Sequence, residues 1–464
     1  HTPSPRKQET EMRSLSILMS SALPALVLAL VPGLVGPSKT SQSHRAHRLS
    51  AHPIASITAS PLEATAVELG PETAVQLLTT PPELMPAALG TTVLQSEGIW
   101  AALRKGLDPL EDAVAESPVG LQLNSRHVST RTQRQLRAAC APVRAGNVTA
   151  ESRSDSAGTH KLLLELHDGL AIECVLIPMG RHTSVCVSSQ VGCARGCRFC
   201  STGTMGLVRN LGAHEIVHQV WLAQRFVREQ RLPQLVNVVF MGMGEPLNNL
   251  AAVSAAVQLL TSPRAFAMSP RSVVVSTVAP SPAAVRAAAA LPCKLAWSVH
   301  AAEDELRLLL VPTTRHKMAE LRDTFRSALA ERPSLKMRAL LVEVALIGGV
   351  NDQLHHAQEL GRFLAAFARD EVLVNLIPYN ENGLGLPGAD GLFHAPAMED
   401  VHAFQRALWD QGMLCTVRAT KGEDERSACG QLATATGKDT VSSPARAHSQ
   451  SQPQQFSNGN AALP

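Results

Sequence analysis

The chain is short of aromatic side chains: Phe, Trp and Tyr make up 3% of its 464 residues, and there is a single tyrosine. Charge is scarce too, at 17% of residues with a formal net charge of +3. That excludes a protein binding nucleic acid through its whole surface, so any RNA contact must rest on local charge. Nine cysteines are an odd number, and four of them crowd between Cys186 and Cys200. A secreted disulfide scaffold is usually short, with an even number spread along it, so a reducing compartment is expected for the folded part. What the chain does have is length and apolar material, 45% hydrophobic residues, enough core for two or three domains.

Acidic residues are missing altogether from 12–61 and from 117–150. Within the first gap, residues 14–36 are mostly apolar, follow Arg13 and give way to a Ser/Thr/Ala/His-rich run. This is the composition of a targeting segment, which suggests import into a plastid or mitochondrion. Pro24 and Pro32 interrupt a run only just long enough to span a bilayer, so no stable membrane association is expected of the mature chain. In the second gap Arg126, Arg131, Arg134, Arg137 and Arg144 recur with His127. Arginines so spaced can follow a phosphate backbone. The plainer alternative is a solvated helix face, because no aromatic stacking partner accompanies them. Residues 434–464 are rich in Ser, Gln, Pro and Asn and read as a disordered tail.

Between these ends the pattern alternates. Residues 162–166 (LLLEL) and 172–177 (IECVLI) flank His167-Asp168-Gly169 and read as a hairpin. Strands are expected over 236–241, 272–277, 294–299, 338–345, 373–377 and 414–418. Helices are expected over 213–229, 250–260, 282–290, 318–330, 355–367 and 397–411. Such alternation means an α/β protein, a partial (β/α)6 TIM-like barrel whose working residues gather at the C-terminal ends of strands. The expected organisation is a targeting extension over 1–90, a small accessory RNA-binding domain over 91–180, a catalytic domain over 181–433 and a tail over 434–464.

Cys193, Cys197 and Cys200 stand in the spacing CxxxCxxC. Three thiolates on one short loop can hold three corners of a 4Fe-4S cluster and leave one iron open to a small chelating molecule. Cys186 could instead complete a tetrahedral zinc site, so spacing alone leaves both metals open. Several strands end in small polar groups. Gly244 and Glu245 follow the first core strand in a glycine turn that admits close backbone approach. Ser276, then Ser298, Val299 and His300, then Asn380, follow later ones. Together these suit an adenosine-and-amino-acid ligand, whereas each alone reads as a turn or cap residue. Cys174, Cys293 and Cys415 lie in or beside apolar runs and read as packing residues, as do Trp100, Trp221, Trp297 and Trp409; Cys140 reads as inert.

The segments CVSSQVGC-x3-C-x2-C, FMGMGEPLNN, VVVSTVAPS, SVHAAEDELR, VNLIPYN and VRATKGEDERSACGQLA occur in this order. Over 100–433 the chain thereby resembles the RlmN/Cfr family of radical-SAM RNA methyltransferases. The resemblance implies a cytoplasmic enzyme that uses a 4Fe-4S cluster and S-adenosylmethionine to methylate an adenine ring carbon of 23S-type ribosomal RNA, and of tRNA in the RlmN branch. C2 is the favoured position, with C8 as the Cfr-like alternative. It implies a flavodoxin or ferredoxin as electron donor, and a monomer is expected. By the same resemblance Cys429 accepts a methyl group from one S-adenosylmethionine, and a radical made from a second activates that methyl for addition to the base. Cys186 then releases the RNA by forming a disulfide with Cys429, and Glu173 takes the proton lost from the ring. Two departures from the family pattern are Val299, where leucine is usual between serine and histidine, and Glu425-Arg426-Ser427-Ala428, where aspartate-isoleucine-aspartate-alanine is common. A different radical-SAM enzyme would not need Cys186 and Cys429, and a zinc-containing RNA-binding protein would need no open metal position.

Overall fold

The computed structural model describes residues 75–110, 130–387, 391–418, 421–422 and 424–434. The targeting-like stretch, the tail beyond Thr434, and Arg126 and His127 lie outside them. Strands β1 (Gly146–Arg153), β2 (His160–Leu166), β3 (Ala171–Met179) and β4 (His182–Cys186) come first, with the short pair β5 (Gln190–Gly192) and β6 (Leu207–Asn210) after them. Then follow β7 (Leu235–Phe240), β8 (Val273–Thr277), β9 (Lys294–Ser298), β10 (Leu340–Leu346), β11 (Val372–Pro378) and β12 (Leu414–Val417). Ten of these build one sheet in the order β1-β2-β3-β4-β7-β8-β9-β10-β11-β12. From β4 to β12 every pairing is parallel, while β1 to β4 pair antiparallel.

The parallel part is the expected partial barrel. Its strands are apolar nearly throughout, as in β8, where Val273, Val274 and Val275 are all buried, because helices cover the outside. The helix Ala213–Glu229 runs between the expected limits; Gly212 N donates to Glu215 Oε2 at 2.7 Å to cap it, and its buried stripe includes Ile216, Val220, Trp221 and Phe226. Helices Leu250–Thr261, Pro282–Ala289, Met318–Ala330, Leu354–Leu364 and Met398–Asp410 fill the other crossovers. The hairpin forms where expected, with Gly169 at φ 78° and Leu170 N donating to Asp168 Oδ1 at 3.1 Å.

Two parts of the sheet differ from the sequence reading. β4, with the sequence HTSVC, lacks a long apolar run, yet it forms the first parallel strand by pairing with β7. Residues 335–338 are a helical turn, and β10 begins only at Leu340. On the barrel's inner face, register places Ser298, Glu343, Asn375 and Thr416 side by side across β9 to β12. A polar row of this kind inside an apolar barrel is costly unless its members bond one another. Asn375 Nδ2 indeed donates to both Glu343 oxygens at 3.3 Å, and Thr416 Oγ1 lies 3.3 Å from Asn375 Oδ1. Among the described residues, no helix is long and apolar enough to cross a membrane.

Candidate active site

The segment after β5 holds the three clustered cysteines. β5 pairs with β6, and Cys193 N donates to Gly206 O at 2.8 Å, so this small ribbon closes the loop at its base. Cys200 N bonds Cys197 O at 3.1 Å, and Gly203 N bonds Cys200 O at 2.9 Å. Residue 203 must be glycine here, since a Cβ would lie 2.7 Å from Cys197 O. Arg198 ties the loop to the C-terminal end of the helix Asp304–Leu310, with its N on Leu310 O and its Nε on Leu309 O, each at 3.0 Å.

These three thiols lie in the wall of a cavity of about 160 Å³ at the C-terminal ends of the strands. Burial, and the neighbouring thiols of the trio, push the Cys193 thiol up to about 12 and that of Cys197 higher still; burial also raises Cys200. Three mutually close thiols held neutral in this way gain by binding positive metal, which removes their protons. Among the described residues no three His, Cys, Asp or Glu side chains converge closely enough for a single ion. Three thiols on one wall can hold three corners of a sulfide-bridged cluster. Cys186 does not line this cavity and lies in a separate pocket behind it.

Gly244, Glu245, Ser276, Ser298, His300 and Asn380 all line the same cavity as the cysteines. Gly244 has φ +101°, and a Cβ there would come within 2.6 Å of Gln190 Cβ. Glu245 is buried and accepts from Thr277 Oγ1 at 2.6 Å, Leu247 N at 2.9 Å and Val278 N at 2.9 Å, which pins the β7 turn to the β8 turn. Burial raises its carboxyl above the usual range against these three donors. Ser276 and Ser298 hydroxyls lie 3.2 Å apart. His300 sits at φ 58°, accepts on Nδ1 from Ala345 N at 3.1 Å and stacks edge-on against Phe199 at 4.7 Å. Burial, with Arg307 nearby, holds it well below the usual imidazole range; it is neutral, with its proton on Nε2. Val299 is different. Its side chain is fully buried away from the cavity, and it contributes backbone: its N donates to Glu343 O at 2.9 Å and its O accepts from Arg307 Nη1 at 2.7 Å.

Asn380 Nδ2 donates to Cys429 O at 3.1 Å, while its Oδ1 is buried without a partner. An orphaned acceptor on the cavity wall fits a bound molecule carrying an N–H donor, such as an amino group. The loop bearing Cys429 is stitched to the cluster loop. Ser201 N donates to Gly430 O at 2.8 Å, Thr202 Oγ1 to Leu432 O at 2.6 Å, and Asn382 Nδ2 bridges Phe199 O at 3.0 Å and Gly430 O at 3.1 Å. Cys429 lines both the main cavity and the smaller pocket of about 30 Å³ that contains Cys186. Glu173 lines neither. It is buried at 4% exposure, pairs with Lys161 Nζ at 3.1 Å and accepts from Ala433 N at 2.8 Å, just beyond the Cys429 loop. Burial raises its carboxyl above the ordinary range despite Lys161. A carboxylate on a hairpin strand ordinarily faces solvent; this one is buried.

Sequence reading missed Arg307, Glu343, Asn382 and Arg418. Arg307 is fully buried and spends its guanidinium on Val299 O and on Val278 O, 2.9 Å away, facing Cys197 and Glu245. For two of them spacing was the signal: Asn382 lies two residues past Asn380, and Arg418 two past Thr416, just beyond β12.

No protein-family model matches the chain. It is 40% identical over 296 residues to the dual-specificity RNA methyltransferase RlmN of Lawsonia intracellularis, covering 62% of this chain and 78% of that protein. A probable dual-specificity RNA methyltransferase RlmN of Streptomyces griseus is 42% identical over 289 residues, covering 61% of this chain and 75% of that one. The crystal structure of a radical SAM methyltransferase from Sphaerobacter thermophilus matches with a TM-score of 0.66 at 34% identity, over 77% of this chain and 99% of that chain. The chain belongs to the RlmN/Cfr family. As a member of that family it is an S-adenosylmethionine-dependent RNA methyltransferase, and membership implies a 4Fe-4S cluster alongside S-adenosylmethionine. Within the RlmN/Cfr framework the cavity supplies what two such cofactors need, three thiols on one wall and an unpaired acceptor on another.

Proposed function

We propose that this enzyme methylates C2 of an adenine in 23S-type ribosomal RNA, with transfer RNA as a second substrate, and that Cys429 carries the methyl group. The observation that carries the proposal is the position of Cys429, which faces the cluster cavity on one side and Cys186 on the other. C2 of adenine is an electron-poor ring carbon that does not attack a sulfonium methyl directly, so a radical route is required. Cys193, Cys197 and Cys200 hold the cluster, which when bound supplies the electron that cleaves S-adenosylmethionine.

The chain's own residues divide the remaining work. Gly244, Glu245, Ser276, Ser298, His300 and Asn380 shape the seat of S-adenosylmethionine, with Val299 acting through its backbone. Cys429 presents its sulfur to that seat and to the adenine. Glu173, desolvated and therefore more basic than an exposed carboxylate, receives the ring proton. Cys186 attacks the Cys429 sulfur and frees the methylated base. Arg131 and Arg134 are exposed on the helix Thr130–Ala139 and support RNA binding, whereas Arg137 spends its Nε on Leu110 O at 2.8 Å. A flavodoxin or ferredoxin serves as donor, and the chain acts as a cytoplasmic monomer.

The test is product analysis. Full-length protein loaded anaerobically with iron and sulfide is incubated with S-adenosylmethionine, a reductant, and either a 23S fragment or tRNA, and the RNA is digested to nucleosides for mass spectrometry. The expected product is 2-methyladenosine. A product methylated at C8 would overturn the regiochemistry, and no methylated adenosine from iron-loaded protein would overturn the function.

A further inference from the structure

Arg418 is the residue that follows β12, and the ladder continues through it: its N donates to Leu376 O at 2.8 Å. Side chains on one strand alternate, so Arg418 emerges on the face of Thr416, the barrel's inner face, one step nearer the mouth. It lines the small pocket together with Cys186 and Cys429. Its charge acts most strongly on Cys429, and also on Glu343 and Cys186. Glu343 belongs to the polar row inside the barrel and is itself fixed by Asn375. A guanidinium is always charged and projects donors in a rigid fork, so this placement is chemically particular.

The pocket sets a problem that Arg418 answers. Cys186 is 6% exposed, and burial pushes its thiol up to about 12, with Cys429 raising it and Arg418 lowering it. Cys174 from β3 also faces it, and Lys421 lines the same pocket. Only a thiolate attacks sulfur, and a buried thiol without a cation beside it is almost never ionised near neutrality.

We infer that Arg418 is the positioning residue of the release step, compensating the charge that develops on Cys186 as it attacks the sulfur of Cys429. The inference rests on the two-cysteine reading above. In that step a bond forms between the Cys186 and Cys429 sulfurs as the bond from the Cys429 sulfur to the RNA methylene breaks. The electron pair leaves with the methylene carbon, which takes a proton and becomes the methyl group. The two sulfurs are oxidised to a disulfide and the carbon is reduced, so no outside oxidant is needed. Arg418 compensates the charge of the attacking sulfur and keeps the receiving one in line.

The thiol chemistry can be read without methylation. Cys429 in full-length, iron-loaded protein is converted to its mixed disulfide with thionitrobenzoate, its site confirmed by peptide mass spectrometry. Attack by Cys186 then releases the yellow thionitrobenzoate anion. At pH 7, Arg418→Gln should slow release by about tenfold or more, the factor for each unit of lost thiolate stabilisation. Arg418→Lys should retain most of the rate, and the gap between wild type and Arg418→Gln should persist at pH 9, where Cys186 is still largely protonated in both. Release from Arg418→Gln at the wild-type rate, or from Arg418→Lys as slowly as from Arg418→Gln, would overturn the inference. In a second arm with RNA and S-adenosylmethionine, Arg418→Gln should accumulate a protein–RNA adduct that wild type resolves, and equal adduct levels in the two would count against it. If Cys186→Ala forms no adduct, the methylation reading fails, while the thionitrobenzoate arm still decides the role of Arg418.

Discussion

Alanine at any one of Cys193, Cys197 or Cys200 is expected to reduce methyl transfer to background. It should also remove the visible absorbance and most of the iron from anaerobically loaded protein. The reason is geometric: the three thiols share one cavity wall and one hydrogen-bonded loop, and burial makes each a poor thiolate unless metal displaces its proton. Two remaining thiols cannot hold a cluster against solvent, and a further thiol on the cavity wall, Cys429, faces the pocket of Cys186 as well. Cys415→Ala is the contrast. That side chain is buried in the core, so the change should cost about 1 kcal/mol of stability, as deletion of a small buried group does, and leave iron and product unchanged. Iron and sulfide analysis beside nucleoside mass spectrometry checks both. Full iron content in Cys197→Ala would show that this residue is not a ligand.

Gly244→Ala is expected to damage fold and site together. At φ +101° a side chain is strained, and its Cβ would sit 2.6 Å from Gln190 Cβ and 2.9 Å from Gln190 N. Strain of this kind costs about 1–3 kcal/mol before any clash is counted. A domain of this size loses roughly 2–4 °C of melting temperature per kcal/mol. The damage would not stay local, because Gln190 Oε1 accepts from Glu245 N at 2.8 Å and Glu245 pins the next strand turn. A displacement of about 1 Å at a site of this kind can cost roughly 100-fold in rate. Differential scanning fluorimetry and single-turnover methylation should therefore both fall. A variant as stable and active as wild type would mean that the turn is not part of the S-adenosylmethionine seat.

The barrel was legible because its signals are local and repeated. Each crossover helix carries a buried stripe at helical spacing, and strands such as VVVST are apolar enough to stand out between them. β4 escaped because HTSVC carries few apolar residues and owes its place to pairing with β3 and β7. That strand matters, since it ends in Cys186. The cysteine spacing and the strand-end groups stood out in the sequence, and the structure brings the three cysteines and six of the seven strand-end residues to one cavity. The seventh, Val299, could not be sorted by sequence, because whether a residue offers side chain or backbone depends on which way the strand turns after Ser298. Arg418 was hidden for a related reason. A charged residue at a strand end ordinarily reads as solvated, and only the opposing Glu343, more than seventy positions earlier in the chain, gives it a place inside. The stitch from Thr202 to the Cys429 loop joins residues 230 apart, Ser201 bonds the same loop, and that from Asn382 spans 48, and no local pattern records any of them.

The central claim is that two cysteines outside the cluster act in succession, Cys429 carrying the methyl group and Cys186 releasing the RNA. Peptide mapping of Cys186→Ala after incubation with RNA, S-adenosylmethionine and reductant tests it most directly. The account predicts a stable adduct in which an adenine is joined through one methylene to Cys429, and no such adduct in Cys429→Ala. Free methylated RNA from Cys186→Ala at the wild-type rate, or an adduct attached to any other residue, would contradict it.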